Sequence, residues 1–279
     1  MVLACTQPKS RLRQRPRVTA ATASAAVGRP LCLPMELSGV VPWGRTADEY
    51  ERMFGLSRAV DLPRRILGVA DGPASFNAEW TAAGGAVTSV DPLYAATPAA
   101  IAARYADARA EVLAAVAANQ GAYVWGHALG QLRDLEDLAD HRDAAMSAFT
   151  ADLDAGLGAG RYLPGGLPSL PLPANAADLA LVSHYLFLYS REVDEAAHLA
   201  AVDELLRCAP EARIFPLLTL GGEPSPHLGA VVGHAKRRGW VARVKRVAYE
   251  VQRDGNQVLI VSRRSGVGQG EGEGRAGEG

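Results

Sequence analysis

The spacing of apolar and polar positions divides the chain into short apolar runs and longer segments of helical period. An apolar run of about 4–8 residues between turn residues is typical of a buried strand. Segments rich in apolar residues, most of them within this length, occur at Ile66–Ala70, Ala86–Val90, Arg161–Leu163, Leu179–His184, Arg213–Leu217, Ala242–Gln252 and Gln257–Arg263. We therefore expect strands at these positions.

Helices are expected between the strands. Thr46 and Glu49 have the spacing of a capping box, in which each side chain satisfies an orphan backbone amide at the helix start. The apolar residues that follow predict a helix that ends near Leu56. Further apolar stripes predict helices over about 75–80, 97–112, 128–155, 194–208 and 227–238.

The order of these elements predicts the fold. Strands alternate with helices, which is typical of a parallel sheet covered on both faces. Asp254-Gly255-Asn256 separates the last two apolar runs and is a hairpin signal. We predict an α/β fold, a three-layer sandwich whose mainly parallel, doubly wound sheet ends in an antiparallel hairpin. The interval of about 95–158 exceeds one crossover helix, so we expect a helical insertion there that selects the substrate.

One folded domain is expected over 35–264. Residues 1–34 contain six basic residues, no acid and no sustained apolar period, so they are expected to be disordered. A transit peptide is one alternative for this segment, and a start of translation at Met35 instead of Met1 is another. Residues 265–279 are mostly Gly and Glu and predict a flexible tail.

Composition narrows the class of protein. Hydrophobic residues make up 48% and charged residues 21% of the 279 residues, as in ordinary globular domains. No apolar run approaches the ~18–20 residues of a membrane-spanning helix, so no membrane partner is expected. Cys5, Cys32 and Cys208 are too widely spaced for a disulfide framework or a C-x-x-C metal site. We therefore expect no metal and a cytoplasmic location.

The charge distribution gives no broad nucleic-acid surface. Residues 35–264 include 22 basic and 27 acidic residues, a net charge of −5. A local basic cluster consists of Lys236, Arg237, Arg238, Arg243, Lys245 and Arg246. Cations are favoured at the C-terminus of a helix, and we interpret the cluster as a solvated face. A nucleic-acid partner is not expected.

Three features predict a cofactor site at the carboxyl edge of the sheet. The loop Ala70-Asp71-Gly72-Pro73-Ala74 joins the first strand to a helix, and Gly72 lets a ligand approach its backbone closely. Ser75 is placed to cap that helix. Asp91 ends the second strand, 19 residues after Gly72, where an acid can accept hydrogen bonds from ribose hydroxyls. The segment Leu163–Ser183 reaches the same edge and is expected to hold a purine.

These segments resemble class I S-adenosylmethionine (SAM)-dependent methyltransferases. The resemblance covers roughly 36–264 and is strongest in LGVADGPASFN (67–77), VTSVDPLY (87–94) and RYLPGGLPSLPLPANAADLALVSHYLFLY (161–189). The segment Val40–Arg45, with Glu49 and Tyr50, is similar to the VVPWGR-x-x-x-EY opening of a bacterial subgroup. The resemblance implies SAM as the cofactor and a small-molecule or other methyl acceptor, which the sequence does not identify.

The resemblance also implies which residues contact the cofactor. In the loop and at the strand ends these are Ala70, Asp71, Gly72, Pro73, Asp91, Pro92, Leu167 and Ser183. Arg45 precedes the first strand, where its guanidinium is suited to pair with the methionyl carboxylate of SAM. A solvated arginine at a helix start is the alternative interpretation.

The loop departs from the family pattern of an acid followed by three alternating glycines. The acid position falls on Gly68, and the glycine positions fall on Ala70, Gly72 and Ala74. Asp71 lies one position after Ala70, the first of these glycine positions, and partly replaces the missing acid. Because SAM carries no pyrophosphate, the loop does not need to cradle one.

His184 is the candidate catalytic residue. It closes the fourth predicted strand beside Ser183, where such enzymes place groups near the transferred methyl. Its ordinary pKa suits a general base if the acceptor must lose a proton. Local packing or hydrogen bonding at a strand end is the alternative. Tyr185, Phe187 and Tyr189 are expected to belong mainly to the core.

Three functions follow from this sequence. The first is a SAM-dependent methyltransferase. The second is a non-catalytic domain that binds SAM or S-adenosylhomocysteine, which the thinned glycine loop suggests. The third is a nicotinamide-dependent oxidoreductase, since a ribose-binding aspartate serves NAD equally well. The terminal hairpin and the lack of three-glycine spacing count against the third.

Overall fold

The computed structural model describes residues 41–128 and 130–264. The predictions for 1–34 and 265–279 concern residues outside these ranges. The described chain forms seven strands: β1 Arg65–Val69, β2 Ala86–Val90, β3 Tyr162–Leu163, β4 Leu179–Ser183, β5 Glu211–Phe215, β6 Val241–Arg246 and β7 Gln257–Ser262. The described helices are α1 Ala47–Phe54, α2 Arg58–Asp61, α3 Phe76–Ala82, α4 Pro98–Ala118, α5 Leu135–Gly158, α6 Glu195–Cys208 and α7 Leu228–Arg237.

The strands form one sheet in the order β3-β2-β1-β4-β5-β7-β6. The first five pair in parallel, with Val69 beside Val90 on one side and Val182 on the other. Strand β7 runs antiparallel to both β5 and β6. This confirms the predicted α/β class with a mainly parallel, doubly wound sheet and an antiparallel end.

Side chains that alternate along the strands build an apolar layer on each face of the sheet. Leu67 and Val69 of β1 pack in a cluster with residues of α6 and α7. Ile66 points the other way and packs in a cluster with residues of α1 and α3. Because both faces are covered, the central strand β4 is buried along its whole length.

Helices α4 and α5 lie between β2 and β3 in the chain and support a third apolar cluster. Phe149 of α5 is fully buried against Tyr94 and Tyr162. Trp43 belongs to the same cluster and stacks on Tyr105 of α4. These contacts bring α4 and α5 against the segment that precedes α1.

The helix starts agree with the sequence except at α5. The capping box of Thr46 and Glu49 is present at α1, and Thr97 caps α4. Helix α5 begins at Leu135 and not near 128, because Asp134 accepts the backbone N–H of Asp137 and sets the start there. Leu129, part of the predicted leucine stripe, lies outside the described residues.

The terminal hairpin has a long connection. The prediction extended its first strand from 242 to 252, but β6 ends at Arg246. The segment 247–256 leaves the sheet edge because it carries buried contacts elsewhere: the Tyr249 hydroxyl donates to Glu49, and Gln252 forms a bridge with Tyr123. The hairpin signalled by Asp254-Gly255-Asn256 is present, with a turn in which the Gly255 N–H donates to the carbonyl of Gln252 at 2.9 Å, but its first strand ends earlier than predicted.

Within the described ranges, no helix combines the length and the apolar character that crossing a bilayer requires.

Candidate functional site

A cleft of about 360 Å³ opens at the carboxyl ends of β1, β2 and β4. It contains most of the residues that the sequence assigned to a cofactor or to catalysis. Those that line it are Arg45, Ala70, Asp71, Gly72, Asp91, Pro92, Leu167, Ser183 and His184. The structure thus brings together residues that are far apart in the chain, as parallel strands with a common carboxyl edge require.

Pro73 does not line the cleft, because the segment before α1 covers it. A β-carbon at Gly44 would overlap the carbonyl oxygen of Pro73, so only glycine allows this approach. The backbone N–H of Ser75 donates to the carbonyl of Arg45 at 3.1 Å. The glycine of the VVPWGR-like segment therefore serves to seat that segment on the loop.

The loop after β1 keeps a glycine-like backbone in spite of its alanines. Ala70 has φ +58° and Gly72 has φ +55°, both in the left-handed region. An alanine in this region costs about 1–2 kcal/mol, which the surrounding contacts must offset. Among them, the Ala70 N–H donates to the carbonyl of Val90 at 2.9 Å, and the Tyr94 hydroxyl donates to the carbonyl of Gly72 at 2.8 Å.

Asp71 is buried beneath the loop. Its carboxylate accepts the hydroxyl protons of Tyr50 and Ser89, each at 2.7 Å. A β-carbon at Gly68 would overlap this carboxylate, so Asp71 fills the space that a side chain at 68 would take. Burial raises the pKa of Asp71 to about 6, against the opposing effect of the two hydroxyl donors.

Asp91 connects the loop to the end of β2. Its Oδ2 accepts the N–H of Gly72 at 2.9 Å and its Oδ1 accepts the N–H of Leu93 at 2.8 Å. Burial raises the pKa of the carboxyl, and these two hydrogen bonds oppose the rise. Each carboxylate oxygen has a second lone pair, so Asp91 retains acceptor capacity toward the cleft.

Arg45 brings a cation to the cleft without a matching anion. Its Nη1 donates to the carbonyl of Trp43 at 2.6 Å, while its buried Nε has no hydrogen-bond partner. Burial and the nearby Arg142 guanidinium lower its pKa. Among the described residues, none forms an ion pair with Arg45. A half-buried guanidinium with a buried, unpartnered Nε is suited to an anionic ligand.

His184 borders the cleft in a strained backbone conformation. Its φ is +51°, and its backbone N–H donates to the carbonyl of Phe215 at 2.7 Å. Its Nδ1 lies 2.9 Å from the hydroxyl oxygen of Ser183. Burial, together with the charges of Arg45 and Arg142, lowers the pKa of His184 well below its ordinary value. The imidazole is therefore neutral at pH 7 and able to accept a proton, although it is a weak base.

A second cavity of about 110 Å³ adjoins the cleft. Val41, Trp43, Arg45 and His184 border both spaces. The rest of its wall comes from α4, α5, the end of β5 and the segment 247–256, through residues such as Val112, Leu138, Phe215, Leu220 and Tyr249. Sequence reasoning missed this cavity, because isolated apolar residues on separate elements form no motif.

A buried ion pair supports the wall of the second cavity. Arg142 of α5 contacts both carboxylate oxygens of Glu49, at 2.7 and 2.5 Å. Glu49 also accepts the N–H of Thr46 at 3.0 Å and the hydroxyl of Tyr249 at 2.9 Å. Burial alone would raise the pKa of Glu49, but Arg142 outweighs it and holds the pKa at about 2. The capping-box glutamate thus also joins α1, α5 and the segment 247–256.

The structure also locates Ser75 and the aromatic residues that follow His184. Ser75 does not cap α3 with its side chain; its hydroxyl instead contacts the carboxylate of Glu79. Phe187 and Tyr189 are buried in the core, whereas Tyr185 lines the cleft. Arg104 of α4 also lines the cleft, and no sequence signal pointed to it.

Solved structures with a similar arrangement include several methyltransferases. The mitomycin 7-O-methyltransferase MmcR aligns with 78% of this chain and 54% of its own, at 12% identity and a TM-score of 0.41. Magnesium protoporphyrin IX methyltransferase (ChlM) from Synechocystis PCC 6803, with bound SAM, aligns with 78% of this chain and 90% of its own, at 10% identity and a TM-score of 0.39. The chain spans about half the length of MmcR and of TnmH, another similar structure.

Sequence comparison gives a nearer relative. No family model matches the chain. The uncharacterized protein MJ0045 of Methanocaldococcus jannaschii is 31% identical over 232 residues, which cover 82% of this chain and 99% of that protein. At this identity and coverage, the chain belongs to the same protein family as MJ0045.

Proposed function

We propose that this protein is a SAM-dependent methyltransferase that uses the 360 Å³ cleft as its cofactor site. The observation that carries the proposal is the presence of Asp91 and Arg45 in one cleft, where Arg45 forms no ion pair with any described residue and its buried Nε has no hydrogen-bond partner. SAM has a ribose diol, which a carboxylate binds, and an amino-acid carboxylate, which a guanidinium binds. One ligand therefore satisfies both groups.

The residues present fit such a ligand. The cavity volume lies within the range of about 300–1,000 Å³ that is usual for small-molecule sites. A β-carbon at Gly72 would have no neighbour nearer than the Pro42 Cα at 4.0 Å, so the loop backbone is open to close approach. Pro92 and Leu167 add apolar surface beside Asp91, as the binding of a purine ring requires.

The chain has a simple part in the chemistry. SAM, when bound, supplies a methyl group on a positively charged sulfur. Asp91 and Arg45 orient the cofactor, and Trp43 with its neighbours excludes water from the space beside it. Positioning of this kind contributes much of the rate of a bimolecular displacement. His184, held neutral, is the group beside the cleft that can accept a proton from the acceptor.

The non-catalytic alternative rests on the same site. It is favoured by the weak basicity of His184, since an acceptor that must lose its proton to this residue gains little from it. Binding would then be retained without methyl transfer. Incubation with radiolabelled methyl-SAM and extracts of small molecules distinguishes the two, because only an enzyme transfers the label.

Calorimetric titration with SAM, S-adenosylhomocysteine and NAD tests the cofactor assignment. We expect both adenosyl ligands to bind and NAD to bind weakly or not at all. NAD binding without adenosyl binding would favour the oxidoreductase. No binding of either adenosyl ligand at high micromolar concentration would rule out both the catalytic and the non-catalytic SAM proposals.

A further inference from the structure

The second cavity has mostly apolar walls, and two of its polar side chains lie on the side that it shares with the cleft. Val112, Leu138 and Leu220 supply aliphatic surface, and Phe215 and Tyr249 supply aromatic surface. Arg45 and His184 lie on the border with the cleft. A ligand in this cavity would therefore direct an apolar body toward the helices and a polar atom toward the cofactor site.

The charges around the cavity leave a positive excess. Glu49 is fully used, because it accepts from Arg142, Tyr249 and Thr46. Arg142 is thereby neutralised, whereas Arg45 forms no ion pair with any residue that the structure describes, and its buried Nε has no hydrogen-bond partner. A guanidinium has five N–H donors in a planar fork, so Arg45 can serve a cofactor carboxylate and a second oxygen atom together.

The proton acceptor in the cavity is weak. His184 is neutral and its pKa is held low by burial and by two guanidinium groups. An aliphatic alcohol would need a strong base in order to react. A phenol or an enol is far more acidic, and a nearby cation favours its ionised form. The combination of weak base and excess positive charge therefore selects an acceptor that ionises readily.

The size of the cavity limits the ligand further. A protein cavity of about 150 Å³ with apolar walls is known to accept benzene. The present cavity, at about 110 Å³, has room for a body of similar size and no more without movement of its wall.

We propose that the second cavity is the acceptor site and that it takes a single-ring phenol or a small enol, bound as the oxyanion beside Arg45. This inference rests on the proposed methyl transfer. In the reaction, the hydroxyl proton leaves to solvent or to His184 before transfer. An oxygen lone pair then forms a bond to the methyl carbon as the carbon–sulfur bond breaks, and that electron pair stays on sulfur to give neutral S-adenosylhomocysteine.

The test uses phenol as the probe, because its ultraviolet absorption changes on ionisation and a difference spectrum therefore reports both binding and ionisation. It is titrated into the full chain saturated with S-adenosylhomocysteine, so that no turnover occurs. Two variants obstruct the cavity: Val112→Trp, at a buried position of α4, and Leu220→Trp, at a part-exposed position that tolerates a larger side chain. Val60→Trp is the matched control, since Val60 is 67% exposed and lies outside the cavity.

We expect phenol to bind the wild type and the Val60→Trp variant equally. Binding should weaken by about tenfold or more in Leu220→Trp, because the introduced ring takes the ligand's place. The bound probe should be more ionised than the free probe at the same pH, and Arg45→Gln should abolish this difference. Titration of S-adenosylhomocysteine into Leu220→Trp should give the wild-type affinity.

Three results would overturn the inference. One is the absence of probe binding to a protein that binds S-adenosylhomocysteine, which would leave the proposed function intact. Another is equal probe binding in Leu220→Trp and Val60→Trp. The third is a loss of S-adenosylhomocysteine binding in Leu220→Trp with 5′-methylthioadenosine binding unchanged, which would assign the cavity to the cofactor's amino-acid tail. Failure of the proposed function itself appears separately, as a wild type that binds no adenosyl ligand.

Discussion

The carboxylate of Asp71 occupies the volume that a side chain at Gly68 would fill. Methyltransferases that the sequence resembles carry an acid at the position of Gly68. Here Asp71, three residues later, places its carboxylate in the space beside Gly68, where Tyr50 and Ser89 hold it. The structure thus gives a physical reason for two departures from the motif, the missing acid and the additional aspartate, which compensate for each other.

Gly68→Ala should therefore destabilise the fold. The new methyl group would overlap the Asp71 carboxylate and displace it from its two hydroxyl donors. Overpacking of this kind costs about 1–3 kcal/mol of unfolding free energy, measured by denaturant titration. The double variant Gly68→Ala/Asp71→Ala should be less destabilised than the sum of the single variants, because the overlap is gone. Additive effects would show that the two residues do not compete for space.

Asp71 should make the free energy of unfolding decrease as pH rises, which is opposite to the effect of a carboxylate in an ion pair. Its folded pKa, about 6, exceeds its ordinary value of 3.8, so the folded state holds the proton through this window. Stability therefore falls as pH rises from about 4 to 6, by about 3 kcal/mol at most. The Asp71→Asn variant lacks this loss, so its free energy of unfolding should increase relative to that of the wild type as pH rises.

Asp178→Asn is the control for that series. Hydrogen bonds from Arg65 hold the pKa of Asp178 below its ordinary value, so its contribution is present above that value and is lost as pH falls. The free energy of unfolding of Asp178→Asn should therefore decrease relative to that of the wild type as pH rises. The same pH dependence in both variants would contradict the burial of an ionisable Asp71.

Ala70 offers a test of backbone strain in the loop. Because its φ is +58°, Ala70→Gly should relieve a left-handed alanine and stabilise the fold by about 0.5–1 kcal/mol, after the greater entropy of glycine in the unfolded chain is subtracted. Ala78→Gly, inside α3, should instead destabilise by about 1 kcal/mol. Thermal or chemical unfolding measures both. Loss of stability in both variants would mean that Ala70 is not strained.

Arg45 should recognise the amino-acid end of the cofactor. Arg45→Gln is expected to weaken the binding of S-adenosylhomocysteine by about 1.5–3 kcal/mol, the usual value of a hydrogen bond to a charged group. The same change should leave 5′-methylthioadenosine unaffected, because that ligand has no carboxylate. Calorimetry with the two ligands gives the comparison. Equal losses for both ligands would assign Arg45 a structural role.

The strand positions and much of the cleft follow from local sequence signals. Buried strands appear in the sequence as apolar runs, and parallel strands have their carboxyl ends at the same edge of the sheet. Gly72, Asp91 and Ser183 can therefore be assigned to one edge from the sequence. The contribution of Arg45 came from family resemblance. That no described residue forms an ion pair with Arg45 became visible only in three dimensions.

Other features depend on contacts between distant residues. The second cavity collects side chains from α4, α5 and the segment 247–256, and no spacing rule connects them. The turn residues near Asp254 predicted a short hairpin, but the buried contact of Tyr249 with Glu49 draws the chain away from the sheet edge. Tertiary packing in this case outweighs local turn preference, which is why the strand end was misplaced.

The most direct test of the account is the affinity of S-adenosylhomocysteine for the wild type and for Asp91→Ala, measured by calorimetry. The Asp91 carboxylate accepts from Gly72 and Leu93 and retains lone pairs for the ribose. We expect measurable binding to the wild type and a loss of about 1–3 kcal/mol in the variant, with the fold retained by circular dichroism. Equal affinities, or no binding to a folded wild type, would contradict the assignment of this cleft to SAM.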